Sequence, residues 1–136
     1  MKKNSVDVQN AYTDNYTDYL DTIPHLFYYN AFLMLSNGTE AKVGTLGSKY
    51  EFFHEWKRLS EQEEGNVALE TMLRGICKKN NFLDLLENFI LFDHSDGKTV
   101  KILARNHQYL GVNEAVKAYE ARKLNNGKLG VFWHTQ

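Results

Sequence analysis

Several features that commonly fix a protein's function are scarce in this chain. Its 136 residues include a single cysteine, Cys77, which excludes an intramolecular disulfide framework and fits a reducing, cytoplasmic setting. The start, Met1-Lys2-Lys3-Asn4, lacks the apolar stretch of a signal peptide, so the sequons at Asn15 and Asn37 read as chance matches. No apolar run reaches the roughly 20 residues needed to cross a bilayer, so no membrane partner is expected. Charge excess is missing as well: 16 basic against 17 acidic residues leave a net charge of -1. That balance argues against a binder that grips nucleic acid through a broad basic surface, and any DNA contact has to be local. His25, His54, His94, His107 and His134 show no metal-ligand spacing with one another or with Cys77, so no metal ligand is assigned. Internal repeats and low-complexity tracts are absent.

What the chain does have is a hydrophobic content of 43% and an aromatic content of 13%, enough for one respectable core. Val8, Ala11, Tyr12, Tyr16, Tyr19 and Leu20 recur at helical spacing and predict a helix closed before the lone proline, Pro24. Asn37-Gly38 between two apolar runs predicts a β-hairpin with a type I′ turn, which needs positive φ at both central residues. Ser48 is placed to cap a helix carrying Tyr50, Phe53, Trp56 and Lys57, and the charged stretch Ser60–Gly65 reads as a linker. Beyond it one helix is expected over Val67–Ile76. A second, apolar on much of its circumference and suited to being sandwiched, is expected over Phe82–Phe92. His94-Ser95-Asp96-Gly97 reads as a polar turn, Thr99–Ala104 as a short strand, Asn106–Ala121 as a helix and Gly130–Gln136 as a final strand. Trp56 and Trp133 read as core anchors and Cys77 as a small buried hydrophobe. Strands around a mostly helical middle give an α+β class.

Taken in order, Asp21-Thr22-Ile23-Pro24-His25-Leu26-Phe27-Tyr28-Tyr29-Asn30, Leu35-Ser36-Asn37-Gly38-Thr39-Glu40-Ala41, Tyr50-Glu51-Phe52-Phe53-His54-Glu55-Trp56-Lys57, Leu85–Phe92, Asn106-His107-Gln108-Tyr109 and Lys128–Gln136 cover nearly the whole chain. Together they resemble the junction between the nuclease domain and the first motor domain in the restriction (R) subunits of type I restriction-modification enzymes. The resemblance implies the end of a PD-(D/E)xK nuclease domain over 1–58, a linker over 59–66, a helical connector over 67–97, and over 98–136 the edge of a RecA-like ATP-dependent motor. The chain would then stop where the phosphate-binding loop follows Gln136.

That family uses an Asp and a Glu on a divalent metal, and a Lys that orients or activates water. Its register places the Lys at about Lys3, with Lys2 as the neighbouring choice, and the metal-binding Glu at or before Met1. A Gln and a Tyr four residues apart then fall at Asn15 and Tyr19, so a shorter amide, Asn15, stands where Gln is usual. Gln108 matches the Gln that recognises adenine: its amide accepts from the exocyclic amine and donates to N7. Thr135 and Gln136 lead into the phosphate loop. The resemblance further implies ATP and Mg2+ as cofactors of the parent enzyme, with none bound to this piece, which is expected to be inert alone. Double-stranded DNA and the modification and specificity subunits are the implied partners, with S-adenosylmethionine used by the modification part. An unpaired final strand favours self-association of the fragment.

Two further readings come from the residues themselves. Asp21 with Glu40-x-Lys42, the latter two on one face of the hairpin's second strand, has the spacing of a small independent PD-(D/E)xK nuclease. An exposed apolar helix around Phe82–Phe92 suits an adaptor that docks on another protein.

Overall fold

The computed structural model describes residues 6–94 and 97–131. Residues 8–22 form one helix, α1, in which α-helical turns at Val8–Asn10 and Thr17–Thr22 flank a π-helical segment, Ala11–Tyr16. The Asp7 carboxylate caps its start by accepting from the Gln9 N–H at 2.8 Å. Thr13 and Thr17 donate their hydroxyls to carbonyls four residues back, a competition with the main-chain ladder that loosens a helix and suits a wider π turn. α1 ends at Ile23, and Pro24–Phe27 is a 3-10 turn.

The hairpin pairs β1 (Leu33–Ser36) with β2 (Ala41–Gly44), Ser36 opposite Ala41. Four residues, 37–40, make the turn, and among its non-glycine residues none has positive φ; Gly38 alone takes +93°. The expected two-residue type I′ turn is therefore replaced. Asn37 spends its side chain on the turn instead, its Oδ1 accepting from the N–H groups of Thr39 at 3.0 Å and Glu40 at 2.8 Å.

The helix expected after Ser48 is only a 3-10 turn, Tyr50–Phe52. The next residues run extended because the His54 main chain pairs with Val43, at 2.8 and 2.9 Å. Extension also sends Phe53 and Trp56 to different cores, which one helical face could not do. α2 (Leu69–Ile76) and α3 (Lys79–Asn88) follow. α3 is shorter than expected: Ile90–Asp93 is a strand, β3, antiparallel to β4 (Val100–Leu103). The aromatic and β-branched residues of the Phe-Ile-Leu-Phe run favour a strand once Val100–Leu103 offers a partner, although Leu91 and Phe92 stay exposed. Nor is α3 sandwiched, for Leu85 is fully buried while Phe82 and Leu83 face solvent. α4 (Asn106–Glu120) and a 3-10 turn, Ala121–Lys123, close the described elements.

Two apolar clusters hold these pieces. Val8, Tyr16, Phe27, Leu35 and Phe53 form one, with Tyr16 edge-on to Phe27 at 5.4 Å. The other gathers Val43 and Trp56 with Met72, Ile76, Leu85, Phe89, Leu103 and Tyr109, so residues on both sides of 59–66 share one core. Trp56 anchors it as expected, whereas Cys77 is exposed rather than buried. Trp133, His134, the Ser95-Asp96 half of the polar turn and most of the expected final strand lie outside the described residues; Gly130 and Val131 are exposed. Among the described residues no helix is long and apolar enough to cross a membrane.

Candidate functional site

α1 carries two of the sequence-derived candidates. Asn15 lies in the π segment and Tyr19 one turn on; both are exposed, Tyr19 by 50%. The opposite side of the helix is tied down. Tyr16 is buried and its hydroxyl accepts from the Gly47 N–H at 2.8 Å, while the Tyr12 hydroxyl donates to the Ser48 carbonyl at 3.1 Å. Burial, ahead of all else, raises the Tyr16 pKa, so it stays a neutral phenol. Lys3 lies outside the described residues.

The turn held by Tyr12 and Tyr16 is bonded on its far side as well. Thr45, 3% exposed, donates its hydroxyl to the Lys101 carbonyl on β4 at 2.6 Å and lies 2.8 Å from the Ser48 hydroxyl. Lys101 returns a contact, its ammonium donating to the Asn30 carbonyl at 2.8 Å. β4 is thus tied to both flanks of the first hairpin.

Gln108 is exposed in the first turn of α4, and its Oε1 accepts from the Arg105 N–H at 2.8 Å. That bond caps the helix and aims the amide. A carbonyl oxygen has a second lone pair, so capping leaves Oε1 able to accept from an adenine amine too. Beside Gln108, Asn106 is buried at 7% exposure. Its Oδ1 accepts from the N–H groups of Lys57 at 3.1 Å and Arg58 at 2.9 Å, and its Nδ2 donates to the Arg58 carbonyl at 3.0 Å.

This junction walls a cavity of about 520 Å³ lined on one side by Lys42, His54, Lys57, Arg58 and Glu61 and on the other by Arg105, Asn106 and His107. Its cations are a local concentration in a chain of net charge -1, and they are only partly neutralised, Lys57 by Glu55 at 2.9 Å. His54 Nε2 and Glu61 Oε1 are buried with no hydrogen-bond partner among the described residues. Burial above all lowers the His54 pKa, and Arg105 and His107 push it the same way against the carbonyls of Phe52 and Ala104. His54 is a neutral imidazole here. A ligand with hydrogen-bonding groups for these two atoms and negative charge for the rim fits such a cavity.

Of the second triad, only Lys42 lies within β2. Glu40 stands in the turn before β2, its N–H and carbonyl used by Asn37, and the Lys42 ammonium lies 4.7 Å from the centre of the Tyr50 ring. Among the described residues no three His, Cys, Asp or Glu side chains cluster to hold a metal. Thr135 and Gln136 lie outside the described residues. Sequence reading missed His54, Thr45 and Asn106 as parts of the site. Only Asn106 carried a local signal, as a helix-start Asn, and that signal pointed to capping rather than to a segment 48 residues away.

No family model matches the chain. It is 34% identical, over 98% of its own length, to the type I restriction enzyme HindI endonuclease subunit of Haemophilus influenzae. It is 27% identical, again over 98% of its length, to a provisionally named type I restriction enzyme MjaIXP endonuclease subunit of Methanocaldococcus jannaschii. The chain spans 13% and 15% of the lengths of these relatives. Its curated homologues are type I restriction enzyme endonuclease subunits.

Proposed function

We propose that the chain is a segment of the R subunit of a type I restriction-modification enzyme, which couples ATP hydrolysis to DNA translocation and cuts double-stranded DNA. The observation that carries this reading is the 34% identity running through 98% of the chain to an endonuclease subunit of that name. In this reading residues 1–58 end a PD-(D/E)xK nuclease domain and 98–136 begin a RecA-like motor, joined through 59–66 and 67–97. Lys3, Asn15 and Tyr19 serve cleavage, with the metal-holding carboxylates on preceding chain, and α1 presents Asn15 and Tyr19 to solvent. Mg2+, when bound, would supply Lewis-acid polarisation of the scissile phosphate; among the described residues no cluster of His, Cys, Asp or Glu is placed to hold it.

Gln108 reads adenine, and Thr135 and Gln136 lead into the phosphate loop. The support for a nucleotide beside α4 is the cationic rim of a cavity lined by Arg105, Asn106 and His107, in the same first turn that the Gln108 side chain caps. Modification and specificity subunits are the assembly partners, S-adenosylmethionine serves the modification part, and the working compartment is the cytoplasm. Alone, the chain is inert and self-associates through the unpaired edge of its final strand. The exposed Phe82, Leu83, Leu91 and Phe92 favour a docking role as a second reading, with the remainder of the long subunit as the natural occupant.

The test is reconstitution. The full-length subunit, assembled with modification and specificity subunits, should cleave unmethylated plasmid DNA only with ATP and Mg2+, and the isolated chain should do neither reaction. Metal-dependent nicking by the isolated chain would replace this reading with an independent nuclease built on Asp21, Glu40 and Lys42.

A further inference from the structure

The geometry points to Asn106 as a positioning residue that makes nucleotide occupancy at Gln108 felt by residues 57–58, and through them by the helix carrying Asn15 and Tyr19. It rests on the reading of Gln108 as a nucleotide contact.

Asn106 is the first residue inside α4, after the N-cap Arg105, so its side chain is not called on to cap the helix. Asn106 instead gives three bonds to the peptide groups of Lys57 and Arg58, 48 and 49 residues away. Apolar packing would hold two segments together but tolerate sliding. A buried amide that accepts twice and donates once fixes distance and angle between two backbones, because any slip leaves that amide unpaired. Asn106 is thus where the first turn of α4 and the end of the first segment move as one.

Both ends of this junction lead to a candidate residue. Toward α4, the Gln108 oxygen already holds the Arg105 N–H. A nucleotide amine sharing that oxygen acts on the same turn that Asn106 binds to residues 57–58. Toward α1, the chain from 57 runs back through buried Trp56 to His54, whose main chain pairs with Val43 on β2. β2 leads into Thr45–Ser48, which is bonded to Tyr12 and Tyr16 of α1. Every link is a main-chain ladder, a covalent neighbour or a hydrogen bond between packed groups, the kind of contiguous network along which coupling can travel.

The experiment compares wild type with Asn106→Ala, Asn106→Asp and Gln108→Ala in the full-length subunit assembled with its partners, scoring ATP hydrolysis and DNA cleavage separately. Asn106→Ala is expected to lower cleavage per ATP hydrolysed by about tenfold, within the usual range of coupling between sites, whatever it does to the hydrolysis rate itself. Asn106→Asp keeps the acceptor and loses the donor, so it should recover part of the coupling. Gln108→Ala should raise KM for ATP; if KM does not move, the nucleotide reading of Gln108 falls and this proposal with it. If Gln108→Ala raises KM while Asn106→Ala leaves cleavage per ATP at the wild-type value, or lowers both activities by one common factor, this proposal alone is overturned. Amide exchange on the chain itself gives a second readout: Lys57 and Arg58 should lose protection in Asn106→Ala while Met72 keeps it. Uniform loss across the core would reduce Asn106 to a structural residue.

Discussion

Asn106 and Arg58 exchange a reciprocal pair of hydrogen bonds: the Asn106 side-chain oxygen accepts from the Arg58 N–H at 2.9 Å, and its amide nitrogen donates to the Arg58 carbonyl at 3.0 Å. Truncation to Ala removes the partner of two part-buried N–H groups and one carbonyl at once. Asn106→Ala should therefore lower stability by on the order of 1–2 kcal/mol, given about 1–3 kcal/mol for an unsatisfied buried group and the access of water to these part-buried ones. Urea denaturation followed by Trp fluorescence measures it. A loss below about 0.5 kcal/mol, the range of ordinary surface changes, would mean the bonds are replaced by water without cost.

Gly75 on α2 lies against the indole of Trp56, close enough that a Cβ there would overlap the ring nitrogen and its neighbouring carbon. The Trp56 side chain is 1% exposed and packed 5.4 Å from the Tyr109 ring, so it has no room to yield. Gly75→Ala should destabilise by about 3 kcal/mol, the upper end for overpacking, despite the better helix propensity of Ala. Adding Trp56→Phe to Gly75→Ala should recover part of the loss. Additive losses in that double-variant cycle would place the clash elsewhere.

Much of this fold was legible where a periodic pattern and its punctuation agreed. α1 shows its aromatic stripe and stops before Pro24, and the hairpin is announced by Asn37-Gly38 between apolar runs. Legibility failed where a segment answers to distant partners. Phe53 and Trp56 match a helical face in isolation, yet Val43 recruits His54 into a sheet pairing that forces extension. Phe89–Phe92 continues an apolar helix by composition, but only β4, beyond an intervening turn, decides that Ile90–Asp93 is a strand. The candidate residues divide likewise. Asn15, Tyr19 and Gln108 came from matching a family's register. His54 and Asn106 declare themselves through partners in other segments, which no local spacing encodes.

His54 should make stability depend on pH. Its folded-state pKa lies below the unfolded value near 6.5, chiefly through burial, so below that value the unfolded chain binds more protons than the folded one. Stability from this group is therefore complete above pH of about 6.5 and falls as the pH drops toward the folded pKa. His54→Gln should flatten this part of the pH–stability curve. Chemical denaturation at a series of pH values checks it, and an imidazole titrating at the unperturbed value by NMR would contradict the burial argument.

Asn15 offers a gain-of-function test of the proposed cleavage role. It is exposed in the π segment of α1, so one more methylene should meet no neighbour, and Asn15→Gln should leave stability within about 0.5 kcal/mol of wild type. In the resembling family a Gln occupies this register, four residues before the Tyr matched by Tyr19. If the Asn amide reaches its target less well than Gln would, restoring the longer side chain should raise the DNA cleavage rate of the assembled full-length enzyme with ATP hydrolysis unchanged. Asn15→Ala should lower cleavage, again without touching hydrolysis, because the Gln108 region is built from other segments. If Gln, Asn and Ala at position 15 cleave at one rate, Asn15 has no part in the chemistry, and the exposed side of α1 then has to be explained by contacts with the rest of the subunit.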